Sequence, residues 1–556
     1  MKTRWYKDAV VYQIYPRSFC DSNGDGIGDI KGIISKLDYL QELGIDAVWL
    51  SPCYKSPNDD NGYDISDYRD IMDDFGTLDD WKKMLDGMHK RGIKLIMDLV
   101  ANHTSDEHEW FKRSRESVDN PYRDYYIWRK GRGDDGRKPP NNWTSNFLGS
   151  AWQYDKVTDE FYLHLFSKKQ PDLNWDNPRV RKEIADICNF WFKLGVDGFR
   201  CDVITYISKK NGLPNGQPFN FLRGSEHYCM GENYHQYILE LNRESWSKFD
   251  SMIVGEAVGI SKNNAYANID ERSEQLDCVF CFDNNSIGAN LSTLIRKKYP
   301  LRHFKKVFSE WQALPKTCQP TLFLENHDQP RSLPRYVGDC GARRVQAGKM
   351  LAVAVQLQRG TPFVYQGQEI GMTNCPFAND EYADIMSINT LRTVSKHLPF
   401  LSKWAGKILN KFARDNARTP MQWSDKPNAG FTSGTPWMKV NPNYKDINVE
   451  QEKSDPNSVL AFYKKLIAFR KGNDVIINGL YREYQHSSKK VFVYSRKADK
   501  ETLLIVCNFV DKQVKFNLPK QFVGKTGECA LSNYDGMAMQ TKNVLRPFEA
   551  VVWKIV

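Results

Sequence analysis

The feature that most constrains the fold is a short apolar segment followed by charged residues, which recurs along the chain. Gly195 to Val203 reads Gly-Val-Asp-Gly-Phe-Arg-Cys-Asp-Val, follows the helical pattern of Arg181 to Leu194, and is typical of a strand. Side chains alternate along a strand, so Arg200 and Asp202 should point to the same side, where the guanidinium keeps the carboxylate ionised. The segment therefore predicts a strand whose end carries an anionic nucleophile.

Three other segments show the same apolar run with polar residues at its end. These polar residues are Asp98, Asn102 and His103 after Lys94, Glu256 after Ile253, and Glu325, Asn326, His327 and Asp328 after Thr321. In a (β/α)8 barrel the loops after the strands meet at one face, where catalytic groups are placed. The recurrence predicts an α/β fold: a (β/α)8 TIM barrel with a small domain inserted after strand 3 and a C-terminal antiparallel β domain.

The acidic residues at these strand ends suit the cleavage of glycosides. In a retaining enzyme one carboxylate attacks the anomeric carbon, and a protonated carboxyl group about 5–5.5 Å away donates to the leaving oxygen. Asp202 is the candidate attacking group. Glu256 is the candidate proton donor, because a desolvated strand end between apolar walls would keep it protonated. Together with Asp328 as a third acid, they predict a glycosidase.

Four motifs carry these residues in a fixed order. They are DLVANH from Asp98, GFRCDV from Gly198, GEA from Gly255 and ENHD from Glu325. The ordered set resembles glycoside hydrolase family 13, the α-amylase family, and the likeness extends from Tyr6 nearly to the C-terminus. The resemblance implies that Asp202 is the nucleophile, Glu256 the acid and base, and Asp328 the residue that stabilises the transition state.

Two further stretches narrow the resemblance to the oligo-1,6-glucosidase branch of the family. They are Gln170-Pro-Asp-Leu-Asn-Trp175 and Arg414-Asp-Asn-Ala-Arg-Thr-Pro-Met-Gln-Trp423. Val203, directly after the candidate nucleophile, is similar to the α-1,6-acting enzymes, whereas maltases usually carry a smaller or hydroxylated residue there. The resemblance implies a retaining, exo-acting α-glucosidase that releases terminal non-reducing α-1,6-linked glucose from isomaltose, isomalto-oligosaccharides and panose.

The resemblance also implies which side chains surround the glucose. The residues that match sugar-binding positions are Asp60, Tyr63, His103, Phe166, Arg200, His327 and Arg414. Asp60 would hold sugar hydroxyls, Tyr63 would stack on the ring, and Arg414 would pair with Asp60 across the pocket mouth. Such a pair suits a closed pocket for one terminal glucose. Phe147 fits either a wall of this pocket or the core.

Other functions remain open on the sequence alone. A trehalose-6-phosphate hydrolase would share these motifs, but it would need basic groups where the phosphate of the leaving sugar lies. A broader α-glucosidase or a sucrose-active relative is a second alternative, although Gln329-Pro-Arg-Ser-Leu-Pro-Arg stands where sucrose isomerases have an Arg-rich stretch. A sugar-binding relative without turnover is disfavoured, because the catalytic positions are intact.

A loop near the N-terminus carries oxygen-bearing side chains at alternate positions. In Asp21-Ser-Asn-Gly-Asp-Gly-Ile-Gly-Asp29 the spacing is that of loops that wrap a hard cation. The implied ligands match the calcium or magnesium loop of the branch and are Asp21, Asn23, Asp25, the carbonyl of Ile27, and Asp29. We expect one structural Ca²⁺ or Mg²⁺ and no organic cofactor. The alternative is an Asx-turn loop without metal.

Composition and charge exclude several classes of function. The net charge of +10 is dispersed, and the densest basic run, Arg296 to Lys306, is expected to be solvated surface rather than a nucleic-acid site. No segment is apolar enough for a membrane span, and the N-terminus lacks the core of a signal peptide. The 12 scattered cysteines favour reduced thiols, and Cys278 and Cys281 are expected to be neither redox-active nor zinc-binding. We expect a cytoplasmic enzyme for small oligosaccharides, monomeric or weakly oligomeric.

The predicted domain boundaries lie where the alternation of strand and helix stops. The barrel takes residues 1–103 and 171–478, with a long excursion over residues 373–455. Residues 104–170 are too many for a structureless loop and are expected to form the inserted domain. Residues 479–556 show short β patterns with polar turns and are expected to form a C-terminal β-sandwich.

Overall fold

Parallel strands form the centre of the molecule in this computed structural model, which describes residues 4–220, 222–280, 282, 300–338, 340–499 and 501–555. The described strands of this sheet, numbered β1 to β8 in chain order, are Val11–Ile14, Ala47–Leu50, Lys94–Val100, Gly198–Asp202, Met252–Gly255, Cys278–Val279, Thr321–Phe323 and Thr361–Tyr365. Their spatial order is β6-β5-β4-β3-β2-β1-β8-β7. The Thr321 hydroxyl donates to the Val279 carbonyl over 2.9 Å, which brings the end strands together and gives the predicted barrel.

Helices cover the outside of the sheet, so the strands are buried on both faces. The helix Pro178–Leu194 shows how the sequence sets their limits: the Asn177 side chain caps its first turn, proline stands at its first position, and Gly195 ends it with φ 106°. The helices that lie between or after the barrel strands are Ile30–Ile34, Leu37–Leu43, Leu78–Lys90, Pro178–Leu194, Tyr234–Glu244, Ala265–Ile269, Leu301–Gln312, Arg344–Gln356 and Val459–Arg470.

The register of β3, β4 and β5 brings the candidate acids to one edge of the barrel. Asp98 in β3 pairs with Arg200 in β4, and Val100 pairs with Asp202. Glu256 directly follows the last residue of β5, which is the other neighbour of β4. Since the strands are parallel, their carboxyl ends meet at the same face.

Additional elements occur in the two stretches that break the alternation. After β3, an antiparallel sheet has the strand order Trp128–Arg129, Glu160–Leu163, Trp152–Asp155. The residues after β8 contain the helices Ile385–His397, Ser402–Phe412, Asp415–Arg418 and Val449–Ser454. Short elements elsewhere are the strands Tyr54–Lys55 and Asp67–Ile71 and the helices Glu109–Ser114, Ser225–Tyr228, Ser332–Tyr336 and Asp474–Ile477. These elements lie inside the predicted inserted domain and excursion or beside the barrel strands, and the domain boundaries stay predictions.

The C-terminal part is an antiparallel β structure. One sheet has the spatial order Leu480–Tyr484, Val491–Ala498, Glu501–Asn508, Ala550–Ile555, Gly527–Ser532, and Val514–Asn517 pairs with Lys542–Leu545. An apolar cluster joins the two, with Trp553 and Phe516 fully buried. Along these short strands, inward-pointing apolar residues alternate with outward-pointing residues. The inward-pointing residues pack between the two layers.

The basic run Arg296 to Lys306 differs in part from the prediction of solvated surface. Residues 296–299 lie outside the described residues. Lys305, however, is buried: its ammonium group donates to the Gln485 carbonyl over 2.8 Å and lies 3.5 Å from the Glu483 carboxylate. The C-terminal domain covers this side of the helix, so the prediction of solvated surface is wrong for Lys305.

None of the helices in the described ranges combines the length and the apolar content that a bilayer crossing requires. The cysteines of the described chain are free thiols, and most of them are buried. Cys281 lies outside the described residues, so the expectation about its pairing with Cys278 stays a prediction.

Candidate active site

Arg200 lies at the centre of the site and contacts three carboxyl groups. Its Nη1 lies 2.8 Å from Asp98 Oδ1 and 2.6 Å from Asp202 Oδ1. Its Nη2 lies 2.7 Å from Glu256 Oε2. The side chain is 1% exposed, so these contacts are shielded from water. The alternation along β4 thus places Arg200 beside Asp202, and the end of β5 adds Glu256 to the same guanidinium.

The single Arg200 guanidinium is shared among these carboxyl groups. Burial raises the pKa of Asp202 well above its usual value; Arg200 opposes the rise, and Glu256 and Asp98 add to it. The predicted effect of Arg200 on Asp202 is therefore outweighed. The hydrogen bond between the Glu256 and Asp202 side chains also raises the pKa of Asp202. A retaining glycosidase needs one ionised and one protonated carboxyl group.

The turn after Asp202 is strained. Val203 has φ 33° and ψ 41°, a left-handed conformation that is unfavourable for a β-branched residue. Its backbone N–H donates to Glu256 Oε2 over 3.1 Å, and the Ile204 N–H donates to the Glu256 carbonyl over 3.1 Å. These two bonds hold the turn and fix Asp202 relative to Glu256. The Val203 side chain is buried in an apolar cluster that also contains Tyr206.

Asp328 contacts a separate set of side chains, which are one histidine and two arginines. His327 Nε2 lies 3.2 Å from its Oδ2, and Arg418 Nη2 and Arg414 Nη1 lie 2.8 Å and 3.2 Å from its Oδ1. Burial alone would raise the pKa of Asp328, but His327, Arg414 and Arg418 hold that pKa well below its usual range. Asp328 is therefore ionised at neutral pH.

Tyr63 and His327 form one wall of the site. Their rings are stacked with centroids 5.4 Å apart and planes 7° from parallel, and the Tyr63 hydroxyl lies 2.7 Å from His327 Nε2. The Gln13 amide lies 2.8 Å from His327 Nδ1, and the Tyr15 ring stacks on His327 at 6.0 Å. Both nitrogens of His327 are thus engaged, which fixes the ring in one orientation.

His103 and Asp60 form another part of the wall, and Gln170 joins them. Gln170 Nε2 lies 3.2 Å from His103 Nε2 and 3.2 Å from Asp60 Oδ2. Burial lowers the pKa of His103 to about 4, so its imidazole is neutral at physiological pH. The Phe166 ring lies 5.1 Å from the His103 ring and 5.7 Å from that of Phe147. The structure thus brings these predicted residues together.

The predicted pairing of Arg414 with Asp60 is present, but it is not the closest contact of this arginine. Arg414 Nη2 lies 3.6 Å from Asp60 Oδ1 and 2.6 Å from Asp384 Oδ2. Burial raises the pKa of Asp60 to about 7, against the opposing effect of Arg414 and Arg418. Asp60 is therefore only partly ionised at neutral pH, and Asp384 is the main ionic partner of Arg414.

Asp384, Arg418 and Gln170 are not among the residues predicted from the sequence. Arg418 follows Arg414 by four residues in the recognised stretch, and that helical spacing was the available signal. Gln170 opens the other recognised stretch. Asp384 gave no such signal, because an aspartate before a helix is an ordinary N-cap residue.

Phe147 and several buried polar atoms belong to the same region as the predicted glucose-binding residues. The Arg414 guanidinium lies 5.4 Å from the centre of the Phe147 ring, which places this phenylalanine beside the site. Within the described structure, Asp60 Oδ1, Gln13 Oε1 and Arg414 Nε are buried without a hydrogen bond. An unsatisfied buried polar atom costs about 1–3 kcal/mol. These atoms therefore favour a ligand rich in hydroxyl groups.

The loop of the predicted cation site is held by its own backbone. Asp21, Asn23 and Asp25 each accept a hydrogen bond from the N–H two residues later, and Asp29 caps the helix Ile30–Ile34. Across the described ranges, no group of three or more acidic, histidine or cysteine side chains is arranged to hold a metal ion. The oxygen donors suit a hard cation in their chemistry, whereas their hydrogen bonds here are those of successive Asx turns.

Comparison with known proteins gives the family. The chain matches the model of the alpha amylase catalytic domain over residues 13–479 and that of the maltogenic amylase C-terminal domain over residues 481–551. It is 53% identical to an oligo-1,6-glucosidase of Parageobacillus thermoglucosidasius and 49% identical to one of Bacillus cereus, in each case over 100% of both chains. The crystal structure of Bacillus licheniformis trehalose-6-phosphate hydrolase has a TM-score of 0.93 at 42% identity, covering 99% of this chain and 100% of that one. The chain therefore belongs to the α-amylase family of glycoside hydrolases.

Proposed function

We propose that this enzyme is a retaining, exo-acting α-glucosidase that removes terminal non-reducing α-1,6-linked glucose from isomaltose, isomalto-oligosaccharides and panose. The observation that carries the proposal is the pair Asp202 and Glu256, bridged by Arg200. The ionised Asp328 supplies the third acid. The proposed linkage is supported by similarity over the whole chain to two proteins named oligo-1,6-glucosidase.

In the proposed mechanism the first step forms a covalent intermediate. Glu256 donates its proton to the glycosidic oxygen as the bond to the anomeric carbon breaks, and an Asp202 oxygen bonds to that carbon to give a β-glucosyl ester. Glu256 then takes a proton from water, which attacks the anomeric carbon, releases glucose of α configuration and frees the Asp202 carboxylate. The negative charge of Asp328 stabilises the oxocarbenium-like transition states.

The proposed pocket admits one terminal glucose. Phe147 and Arg414 lie against each other, and Arg414 reaches towards Asp60. We propose that Asp60 Oδ1 and Arg414 Nε bind sugar hydroxyls, with Tyr63, His103 and His327 around the same ring. A wall made of these side chains suits cleavage at a chain end rather than within a polymer.

The alternative of trehalose-6-phosphate hydrolysis requires basic groups for the phosphate of the leaving sugar. Arg414 and Arg418 are the guanidinium groups next to Asp328, and both are engaged with Asp328 and Asp384. They also lie at the pocket proposed for the terminal glucose and not where the phosphorylated leaving sugar would lie. We therefore favour an unphosphorylated oligosaccharide.

A substrate panel tests the proposed function. Isomaltose, panose, maltose, sucrose and trehalose 6-phosphate are compared at equal concentration, with release of glucose or glucose 6-phosphate followed over time. We expect isomaltose and panose to give the highest kcat/KM. Hydrolysis of trehalose 6-phosphate alone would contradict the proposed linkage.

The same panel on Val203→Thr tests the proposed role of Val203 in linkage preference. Threonine keeps the branched shape but replaces one methyl by a hydroxyl next to the nucleophile. A contact of this size changes the free-energy difference between two competing substrates by about 1–3 kcal/mol. We therefore expect kcat/KM for isomaltose, divided by kcat/KM for maltose, to fall about tenfold. An unchanged ratio, with the melting temperature kept, would show that Val203 does not set the preference.

We also propose that the loop from Asp21 to Asp29 binds one Ca²⁺ or Mg²⁺ ion, with Asp21, Asn23, Asp25, the Ile27 carbonyl and Asp29 as ligands. The oxygen donors at alternate positions support the proposal. An ion that binds only the folded state stabilises that state by about 2.7 kcal/mol when the free ion concentration is one hundred times the Kd. We expect calcium to raise the melting temperature of protein stripped with EDTA, and Asp25→Ala to abolish the rise. Equal melting temperatures with calcium and with EDTA would favour the Asx-turn alternative.

We propose further that the enzyme acts in the cytoplasm, since the buried thiols of the described chain suit a reducing compartment. The expectation of a monomer or weak oligomer stays a prediction, which size-exclusion chromatography with light scattering would check.

A further inference from the structure

The two oxygens of the Asp384 carboxylate contact different groups. This residue precedes the helix Ile385–His397 and is 1% exposed. Its Oδ1 accepts hydrogen bonds from the N–H groups of Met386 and Ser387 over 3.0 Å and 3.4 Å. Its Oδ2 lies 2.6 Å from Arg414 Nη2 and 2.9 Å from Arg418 Nη1. Only the first oxygen serves the helix, so the second is free to act on the two arginines.

These arginines are the ones that hold Asp328. Arg418 Nη2 and Arg414 Nη1 both contact Asp328 Oδ1, while another nitrogen of each guanidinium contacts Asp384. Each arginine thus bridges the two carboxylates. The orientation of both guanidinium groups towards Asp328 therefore depends on Asp384.

The charges of this cluster balance only when Asp384 is counted. Burial alone would raise the pKa of Asp384, but Arg414 and Arg418 keep that pKa below its usual value, so it is an anion at neutral pH. Two guanidinium cations then face two carboxylate anions, Asp384 and Asp328. Asp60, with a pKa of about 7, adds only part of a charge. Without Asp384 the cluster would be positive close to the bound sugar.

The backbone of Asp384 is also tied to the segment that carries the arginines. Asp415 Oδ1 accepts hydrogen bonds from the N–H groups of Ala383 and Asp384 over 2.8 Å and 2.9 Å. Asp415 Oδ2 accepts one from the Ser387 hydroxyl over 2.7 Å. Asp384, Arg414 and Arg418 therefore form one unit within the residues that follow β8.

We propose that Asp384 is a positioning residue of the reaction, which orients Arg414 and Arg418 on Asp328 and cancels one of their two positive charges at the glucose pocket. The proposal rests on the proposed glucosidase function. Positive charge develops on the sugar in the transition state, so an excess of positive charge in the wall would oppose catalysis. A packing role for Asp384 would have no such dependence on charge.

The test uses Asp384→Asn, which keeps the size and the helix-capping oxygen but removes the charge. Its kcat on p-nitrophenyl α-glucoside and its affinities for two ligands are measured at pH 7 by kinetics and calorimetry. The ligands are glucose, which is neutral, and 1-deoxynojirimycin, an iminosugar of similar shape whose ring nitrogen can carry a positive charge. We expect kcat to fall about 10²-fold. We expect the Kd of deoxynojirimycin to rise about tenfold and that of glucose to change less than about threefold.

Two further variants make the result decisive. Asp384→Ser also caps a helix and lacks the charge, so it should reproduce the selective loss if Asp384→Asn does not fold. Asp380→Asn, an exposed acid of the same segment, should leave kcat and both affinities as in the wild type. Wild-type kinetics in both charge-removing variants, or equal weakening of both ligands, would overturn the proposal. A wild-type preference for another linkage would overturn only the proposed function, since these probes report on the glucose pocket alone.

Discussion

Replacing Asp202 by Asn should lower kcat on p-nitrophenyl α-glucoside about 10⁴- to 10⁶-fold, the scale on which loss of a covalent nucleophile acts. The amide has nearly the same shape but cannot form the glucosyl ester. Arg200 keeps its contacts with Asp98 and Glu256, so the site should retain its geometry. Steady-state kinetics, with the melting temperature as a check on folding, measure the loss.

The same substitution at Asp197 is the matched control. Asp197 directly precedes β4, at the end of the barrel away from the site, and pairs with Lys94 over 2.9 Å. We expect Asp197→Asn to alter stability but to change kcat by less than about threefold. Comparable losses at both positions would mean that Asp202 acts through the fold and not through the reaction.

Azide identifies the face from which Asp202 attacks. In Asp202→Ala the azide ion enters the space of the missing carboxylate and reacts with the anomeric carbon from the β face, so the product should be β-glucosyl azide. Chromatography and NMR determine its configuration. Formation of α-glucosyl azide by this variant would contradict the assignment of Asp202 as the nucleophile.

Replacing Glu256 by Gln should lower kcat on isomaltose about 10²- to 10⁴-fold, because the leaving sugar then departs without a proton. The loss in the first step should be far smaller for α-glucosyl fluoride, since fluoride leaves with little need of protonation. The ester on Asp202 would then accumulate, because water lacks its general base, and a burst of fluoride should precede slow turnover. Rapid-quench measurement of the burst checks this expectation.

Azide also separates the role of Glu256 from that of Asp202. In Glu256→Ala, azide should react with the β-glucosyl ester from the opposite face and give α-glucosyl azide. This product is the opposite anomer to the one expected from Asp202→Ala. Equal loss of activity on isomaltose and on α-glucosyl fluoride, without azide rescue, would rule out Glu256 as the acid and base.

Local sequence was sufficient for the parts of the site that lie on barrel strands. The apolar run before Arg200 and Asp202 predicts a strand, and the period of two places both side chains on one side. The ordered motifs that contain Asp98, Glu256 and Asp328 predict the barrel, because its strand ends share one face. These features depend on neighbouring residues in the chain, and the structure reproduces them.

Local sequence did not determine the electrostatics. Arg200 beside Asp202 predicts an ionised carboxylate, whereas burial and Glu256 raise the pKa of Asp202. Lys305 lies in a basic run, yet the C-terminal domain buries it against Glu483. The pKa of Asp202 and the burial of Lys305 both depend on residues from distant segments of the chain. No short stretch of sequence contains all of those residues.

The sequence by itself therefore determined the barrel, the family resemblance and the order of the reacting carboxyl groups, since periodicity and motif spacing are local properties. Only the tertiary structure decided which groups act on each charge. Burial, Arg200 and Glu256 together set the pKa of Asp202, and Arg414 and Arg418 link Asp384 to Asp328. The physical reason is that desolvation and Coulomb interactions depend on distance in space, which folding sets independently of distance along the chain.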